Sequence, residues 1–342
     1  MKLLHSFLRK LESLSNINIL MYHGFTDEKS FKGIENYHGK HLHIDKFKEQ
    51  VRYLKKYYHI IKLEEFISCL VDPKPVPSSL VVITMDDGYR SNFTLAYPVL
   101  KEFAVPATIF LTTNFIDKKE YLWTDRIEFA LNGTAEKYLE IVLDNNVYSY
   151  NLSDFRQKQL TDRDIKSKLR KLPVVPRDAV IEDIENKLKQ KLQGPNPPAM
   201  YAPLERKDVM EMVRSNLVSV GSHTCSHVVL SACLQDMMKD QLLDSKKYIE
   251  ELTEKACAIF SYPNGATGDF NELSKRILKD SGYKCALTTI IGTNNAYSDI
   301  FELKRLNLHN DGDLTGFICT LSSLGRFLRK IKNADLFGGQ YQ

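Results

Sequence analysis

The sequence predicts an α/β fold in which seven parallel strands alternate with helices. Short runs rich in β-branched residues recur along the 342 residues, and longer amphipathic segments separate them, which is the pattern of strands joined by helical crossovers. The predicted strands cover residues 17–23, 80–87, 107–113, 217–223, 256–263, 284–290 and 303–309. The predicted helices cover about 45–58, 91–103, 206–214, 235–254, 270–281 and 314–332.

Polar side chains at the predicted strand ends help to distinguish a closed barrel from an open sheet. Periodicity alone leaves open both a closed barrel and an open doubly wound sheet. The residues at the strand ends are His23, Asp86, Asp87, Thr113, His223, Tyr262 and His309. In a barrel these ends converge on one face, where active sites are built. The sequence therefore favours the barrel.

Residues 115–205 form an insertion between the third and fourth predicted strands. A helix and short loops would suffice for that connection, so this length is unusual. Within it, residues 124–143 are typical of a helix followed by a strand, and a hairpin follows with Asn145 and Asn146 at its turn. We therefore predict a barrel over residues 17–342 that this insertion interrupts.

Composition and charge narrow the class of protein. The 47 basic and 43 acidic residues are spread without blocks of like charge, which argues against nucleic-acid binding. Residues 1–16 carry an apolar stripe typical of an amphipathic helix, and Arg9, Lys10 and Glu12 interrupt the continuous apolar core that a signal peptide has. That helix would pack on protein or contact a membrane surface. The six cysteines include no CxxC pair, and we expect a cytoplasmic location.

Two motifs at strand ends carry the residues for metal chemistry. TMDDG, at 84–88, places two carboxylates where an apolar strand stops, although the same residues are common in solvated turns. HTCSH, at 223–227, spaces two histidines by four residues, which on one helical turn would let them grip one ion, although such a pair is often structural. Together they supply two imidazoles, one carboxylate ligand and a second carboxylate that can take a proton.

With these motifs the sequence resembles the polysaccharide deacetylase family, the NodB-homology group of carbohydrate esterases. The resemblance covers about residues 17–113 and 206–310, and it implies a distorted (β/α)7 barrel. TMDDG is similar to the family motif TFDDG, which implies that Asp86 is the catalytic base and Asp87 a metal ligand. HTCSH resembles the second motif, which implies that the other ligands are the two histidines of that segment, His223 and His227. The implied cofactor is one divalent ion, with zinc the first choice.

Residues 260–265, FSYPNG, resemble a third family motif that lines the groove, although Pro-Asn-Gly is also a strong turn signal. The resemblance implies that Tyr262 and Pro263 line the groove and that the backbone NH of Asn264 donates to the oxyanion. This chain departs from the family pattern at two points. The arginine that often opens the motif is absent, and Asn264 stands where tyrosine is common.

Residues 305–309, RLNLH, resemble the closing motif, which implies that His309 protonates the leaving amine. Arg305 is expected to orient a carboxylate in place of the missing arginine. The segment MYH at 21–23 resembles a signature near the start of many relatives, and it implies that His23 contacts substrate or supports the site.

Aromatic residues open the insertion at a point near the predicted site. We predict that Trp123 or nearby Tyr121 helps to wall the groove, because aromatic faces stack on sugar rings; packing in a core is the alternative.

The predicted function is metal-dependent removal of an N-acetyl group from a sugar in a polysaccharide or glycan precursor. An inactive carbohydrate-binding protein of the same fold is the alternative. A glycosidase fits poorly, because its two carboxylates must flank the scissile bond from separate elements. A cytoplasmic location would favour a lipid-linked or nucleotide-linked sugar precursor as the partner.

Overall fold

The computed structural model describes residues 17–71, 79–295, 297–308, 313–322 and 325. All seven predicted strands form, with ends shifted by a few residues at most. The described strands, in chain order, are β1 (Asn18–Tyr22), β2 (Gly24–Thr26), β3 (His41–His43), β4 (His59–Ile60), β5 (Leu80–Met85), β6 (Ala107–Leu111), β7 (Tyr138–Leu143), β8 (Asn146–Asn151), β9 (Val218–Ser222), β10 (Ile259–Ser261), β11 (Cys285–Ile291) and β12 (Leu303–Asn307).

The seven predicted strands close into a parallel barrel, as the sequence favoured. Their order is β1, β12, β11, β10, β9, β6 and β5, and β5 pairs back with β1 over five residues of each strand. The short strand β4 adds to the sheet beside β5. Every residue of β1, β5 and β6 is buried, because a parallel strand between barrel interior and helix layer has no solvent face.

Helices connect the strands and cover the barrel. The described α-helices are α1 (Ile44–Tyr57), α2 (Leu63–Val71), α3 (Tyr97–Phe103), α4 (Thr113–Asp117), α5 (Trp123–Gly133), α6 (Phe155–Leu169), α7 (Val174–Leu188), α8 (Arg206–Arg214), α9 (Gln235–Thr253), α10 (Glu272–Asp280) and α11 (Leu314–Leu321). The predicted helix at 91–103 begins with a π-helical turn, Asn92–Ala96, before α3. No helix of the described part is long and apolar enough to span a membrane.

The insertion forms a small unit of three helices and one hairpin with its own apolar core. The helix and strand predicted at 124–143 correspond to α5 and β7. Buried side chains from α5, the hairpin, α6 and α7 pack together in one cluster, which includes Ile127, Ile141, Ile165 and Ile181.

The predicted hairpin turn was displaced by one residue. The turn residues are Asp144 and Asn145, both with positive φ (49° and 62°), while Asn146 pairs with Leu143 as the first residue of β8. Aspartate and asparagine tolerate the left-handed region that a two-residue turn between twisted strands requires.

Three predicted features lie wholly or partly outside the described residues. These are the amphipathic helix at 1–16, the proton donor His309 and the end of the helix predicted at 314–332, and they stay predictions. Arg305, in the same motif as His309, lies on β12 and is described.

Candidate active site

The two adjacent aspartates of TMDDG point to different partners. Strand β5 ends at Met85, and Asp87 and Gly88 then take φ values of 76° and 92°. The left-handed turn directs Asp87 toward the two histidines that follow β9, while Asp86 stays against Arg305 on β12. A Cβ on Gly88 would lie 3.0 Å from Leu111 and Ile116, so glycine suits both the torsion and the space.

Asp87, His223 and His227 converge on one point. Oδ1 of Asp87 lies 3.5 Å from Nε2 of His223 and 3.4 Å from Nε2 of His227, and all three residues are buried. The HTCSH segment is an irregular turn and not the helical turn that the spacing suggested. Thr224 and His227 have positive φ (65° and 50°), and this backbone still brings the two rings to a centroid distance of 5.0 Å.

The three side chains fit a divalent metal ion. Their candidate ligand atoms all lie within 4.8 Å of one another, and Oδ1 of Asp87 is buried with no hydrogen-bond partner. Nδ1 of His223 lies 2.7 Å from the carbonyl oxygen of Ser261, a contact that orients the ring and leaves Nε2 to face the site. One carboxylate and two imidazoles suit zinc and leave coordination positions open.

The charge states of these groups also suit metal binding. Burial lowers the pKa of His227, although Asp87 opposes that change, so the ring favours its neutral form. Burial alone would raise the pKa of Asp87, but the nearby imidazoles of His223 and His227 hold it well below its usual value. A neutral imidazole and an ionised carboxylate are the forms that bind a metal.

Arg305 holds Asp86 by two parallel hydrogen bonds. Nη1 and Nη2 of Arg305 lie 2.8 Å and 2.6 Å from Oδ1 and Oδ2 of Asp86, and Nε donates to the carbonyl of Thr288 at 2.7 Å. Ser261 Oγ lies 3.2 Å from Oδ2 of Asp86. Burial opposes the ionisation of Asp86, but Arg305 and the nearby imidazoles outweigh it and lower its pKa. Asp86 is therefore an oriented carboxylate that stays charged at neutral pH.

The third motif follows β10 and forms one side of the site. Tyr262 and Asn264 line the same cavity as the two aspartates, and Pro263 between them is buried. The Tyr262 hydroxyl donates to the carbonyl of Phe301 at 3.1 Å. Asn264 has a φ of 60° and carries a buried Nδ2 without a hydrogen-bond partner, and Asn tolerates this left-handed backbone better than tyrosine does.

His23 and Trp123 take different positions around the site. His23 lines the cavity, and its carbonyl accepts a hydrogen bond from Asn92 Nδ2 at 2.6 Å. Trp123 is only 3% exposed, and its indole Nε1 donates to the carbonyl of His227 at 3.3 Å. The guanidinium of Arg177, from α7, lies 5.4 Å over the indole ring and 3.5 Å from the same carbonyl. Trp123 therefore packs behind the HTCSH segment.

Tyr121 also lies away from the aspartates. Its hydroxyl donates to the carbonyl of Gly194 at 2.6 Å, and it lines a neighbouring cavity of about 360 Å³.

A cavity of about 310 Å³ joins these groups to a second set that the sequence analysis missed. We call this second set the outer wall; its members are Asn36, His38, Lys40, Thr124, Glu128 and Lys166. They come from the segment before β3 and from helices α5 and α6 of the insertion. No short motif marks them, because their positions depend on how the insertion packs against residues 34–40.

The protein is a closed parallel barrel, and a carboxylate and two imidazoles lie at the carboxyl ends of its strands. These features define a class of barrel enzymes whose active site lies at that face. Within this class the chain belongs to the polysaccharide deacetylase family, whose model matches residues 74–171 and 179–286, more than half of the chain. The match confirms the family that the motifs indicated.

Three relatives illustrate the similarity. YxkH of Bacillus subtilis, a protein assigned to the polysaccharide deacetylases, is 21% identical over 303 residues, which cover 87% of this chain and 74% of that protein. The poly-beta-1,6-N-acetyl-D-glucosamine N-deacetylase of Staphylococcus epidermidis is 30% identical over 120 residues, which cover 35% of this chain and 38% of that protein. The structure of the Streptococcus pyogenes deacetylase PplD in complex with acetate matches with a TM-score of 0.60 at 18% identity and covers 91% of this chain and all of that one (100%). That structural likeness shows a shared fold.

Proposed function

We propose that this chain is a metal-dependent N-deacetylase that hydrolyses the acetamide of an N-acetylated sugar and releases acetate. The observation that carries the proposal is the charged Asp86, held by Arg305 beside the open group of Asp87, His223 and His227. A base and a set of metal ligands in contact with one cavity are the parts that amide hydrolysis requires.

The protein residues have separate roles in this reaction. The ion, when bound, would lower the pKa of water and polarise the acetamide carbonyl. Asp86 accepts the proton of the attacking water, and Arg305 keeps its carboxylate oriented. The Asn264 backbone NH donates to the oxygen of the tetrahedral intermediate. The C–N bond then breaks and the departing amine takes a proton, a role that the family resemblance assigns to His309.

The substrate is an N-acetylated sugar of a polysaccharide or of its precursor. The Staphylococcus epidermidis relative is named for poly-beta-1,6-N-acetyl-D-glucosamine, which supports an N-acetylglucosamine unit. All six cysteines are free, which agrees with a reducing compartment and therefore with a cytoplasmic, lipid-linked or nucleotide-linked precursor.

Metal content and acetate release test the proposal together. Purified protein should hold about one divalent ion per chain that is lost to a chelator or at low pH. It should release acetate from a β-1,6-linked N-acetylglucosamine oligosaccharide, and zinc should restore activity after chelation. Protein that neither binds zinc nor regains activity with it would contradict the proposal. Metal binding without acetate release from any N-acetylated sugar would favour the inactive carbohydrate-binding alternative.

A further inference from the structure

The outer wall lines the same cavity as the catalytic motifs, and each of its lysines is paired with a carboxylate from a helix of the insertion. Lys40 contacts Asp125, and Lys166 lies 2.8 Å from Oδ1 of Asp162. Each ammonium therefore has its own carboxylate partner on a helix of the insertion. Glu128 remains as a further acid, so the wall offers no unpaired positive charge to an anionic substrate.

Glu128 has one oxygen engaged by the protein and a second with no close partner. Its Oε1 accepts hydrogen bonds from the Tyr201 hydroxyl at 3.1 Å and from the backbone NH of Asn36 at 3.3 Å. Its Oε2 lies 3.9 Å from the ammonium of Lys166, which is beyond hydrogen-bonding distance. Glu128 is only 5% exposed, so it is fixed in place while it lines the cavity.

A hydroxyl group of the substrate can supply the hydrogen-bond donor that Oε2 of Glu128 lacks within the protein. Burial raises the pKa of Glu128, with Lys166 and Lys40 opposing the rise, so the carboxylate gains from any additional donor. A cavity of about 310 Å³ lies at the lower end of the range for ligand pockets, which suits one sugar unit.

We propose that Glu128 is a specificity-determining residue, which accepts a hydrogen bond at Oε2 from a hydroxyl of an uncharged N-acetylated sugar. The inference rests on the proposed deacetylase function and adds that the insertion recognises the same sugar unit that the barrel deacetylates. A sugar with a carboxylate at this position would meet Glu128 as a like charge and bind more weakly.

The test compares Glu128→Gln with a matched control, Glu140→Gln, on the exposed side of the insertion hairpin. The glutamine keeps an oxygen for Tyr201 and Asn36 but replaces the charged acceptor at Oε2, so the fold should survive. We expect KM for a β-1,6-linked N-acetylglucosamine trisaccharide to rise about 10- to 100-fold, the effect of losing a hydrogen bond to a charged group. The kcat should change less than about twofold, because this hydrogen bond stabilises the bound substrate and the transition state equally.

Two further measurements separate recognition from packing. Turnover of 4-nitrophenyl acetate and the melting temperature should be unchanged in Glu140→Gln. In Glu128→Gln, turnover of this ester should fall much less than that of the trisaccharide, since the ester has no sugar hydroxyl. An N-acetylated disaccharide with a uronic acid should be a poorer substrate for the wild type, and Glu128→Gln should narrow that difference. An unchanged trisaccharide KM, or an equal loss on the small ester, would overturn the inference.

Failure of the inference is distinguishable from failure of the proposed function. If the wild type releases acetate but Glu128→Gln matches it, only the inference fails. If the wild type releases no acetate, the proposed function fails. Calorimetric binding of the trisaccharide to the wild type and to Glu128→Gln then tests the inference by itself, and equal affinities would overturn it.

Discussion

The barrel and the insertion contribute to one cavity in different ways. In the barrel, the functional side chains lie on a strand or in the loop that follows it, as Arg305, Asp86 and His223 do. In the insertion, Glu128 and Lys166 lie within helices and reach the cavity from their sides. Functional residues at strand ends can be recognised from the sequence alone. Functional residues on a helix face can be recognised only when the packing of that helix is known.

The two regions also meet behind the metal ligands. Trp123 and Arg177 of the insertion both approach the carbonyl of His227, and Arg177 Nη2 also lies 3.5 Å from the carbonyl of Ser226. His227 has a positive φ, so its backbone depends on its surroundings for this conformation. The barrel therefore supplies the residues that perform the chemistry, and at this contact the insertion supplies residues that hold them in place.

The largest effect should come from the barrel aspartates. Asp87→Ala should abolish metal binding and, with it, activity. Asp86→Asn should keep the metal while turnover falls by about two to four orders of magnitude, because a general base is lost. Elemental analysis and acetate release measure the two effects separately. Equal metal loss in both variants would mean that the roles of the two carboxylates are assigned wrongly.

A second large effect should come from breaking the ion pair between Arg305 and Asp86. Arg305→Met leaves Asp86 as a buried charge without its partner, which should cost about 3–5 kcal/mol of unfolding free energy. Lys304→Met on the same strand is the matched control, because Lys304 is exposed. Urea unfolding checks both variants. Equal, small losses would show that the Asp86 carboxylate does not need the guanidinium.

A smaller effect should come from the insertion's support of His227. Trp123→Phe keeps an aromatic ring but removes the indole donor, so zinc affinity should fall about fivefold, the equivalent of about 1 kcal/mol for one hydrogen bond. Competition with a chromophoric chelator measures this affinity. Tyr150→Phe removes a different hydrogen bond of the insertion, to Asp164, and should leave zinc affinity unchanged. A fall in both variants would indicate a general loosening of the insertion.

The smallest effect should be a pH dependence of stability that arises at Asp162, where the insertion meets residues 37 and 38. Burial alone would raise the pKa of Asp162, but Lys166, His38 and Tyr37 lower it below the usual 3.8. A lowered folded-state pKa stabilises the protein above the unfolded-state value, and this stability is lost as pH falls through the folded-state pKa. Asp162→Asn should therefore be less stable than the wild type at neutral pH.

Unfolding curves across pH check this sign. The difference between Asp162→Asn and the wild type should shrink as pH falls below 3.8. Asp183→Asn breaks a surface pair with Lys187 and should change stability little at any pH. A difference that persists unchanged in acid would assign Asp162 a packing role instead.

The sequence predicted the barrel well because its signals are local. Apolar runs mark strands that are buried on both faces, and the helix predicted at 206–214 coincides with α8, where Glu205 and Asp208 form a capping box. The helices α6 and α7 were not predicted, because each buries few apolar side chains among many charged ones. The outer wall was missed for a different reason. Residues 36–40, Glu128 and Lys166 become neighbours only through long-range packing.

The ion pair between Asp86 and Arg305 joins residues 219 positions apart in the chain, and β1 lies between their strands in the barrel. During synthesis, Asp86 is therefore made long before Arg305, the residue that carries its opposite charge. Until β12 closes the barrel, Asp86 would have to remain hydrated or protonated, since a buried lone carboxylate is costly. Such non-local closure is slow to form, so the acquisition of activity by a nascent chain would report completion of the whole barrel.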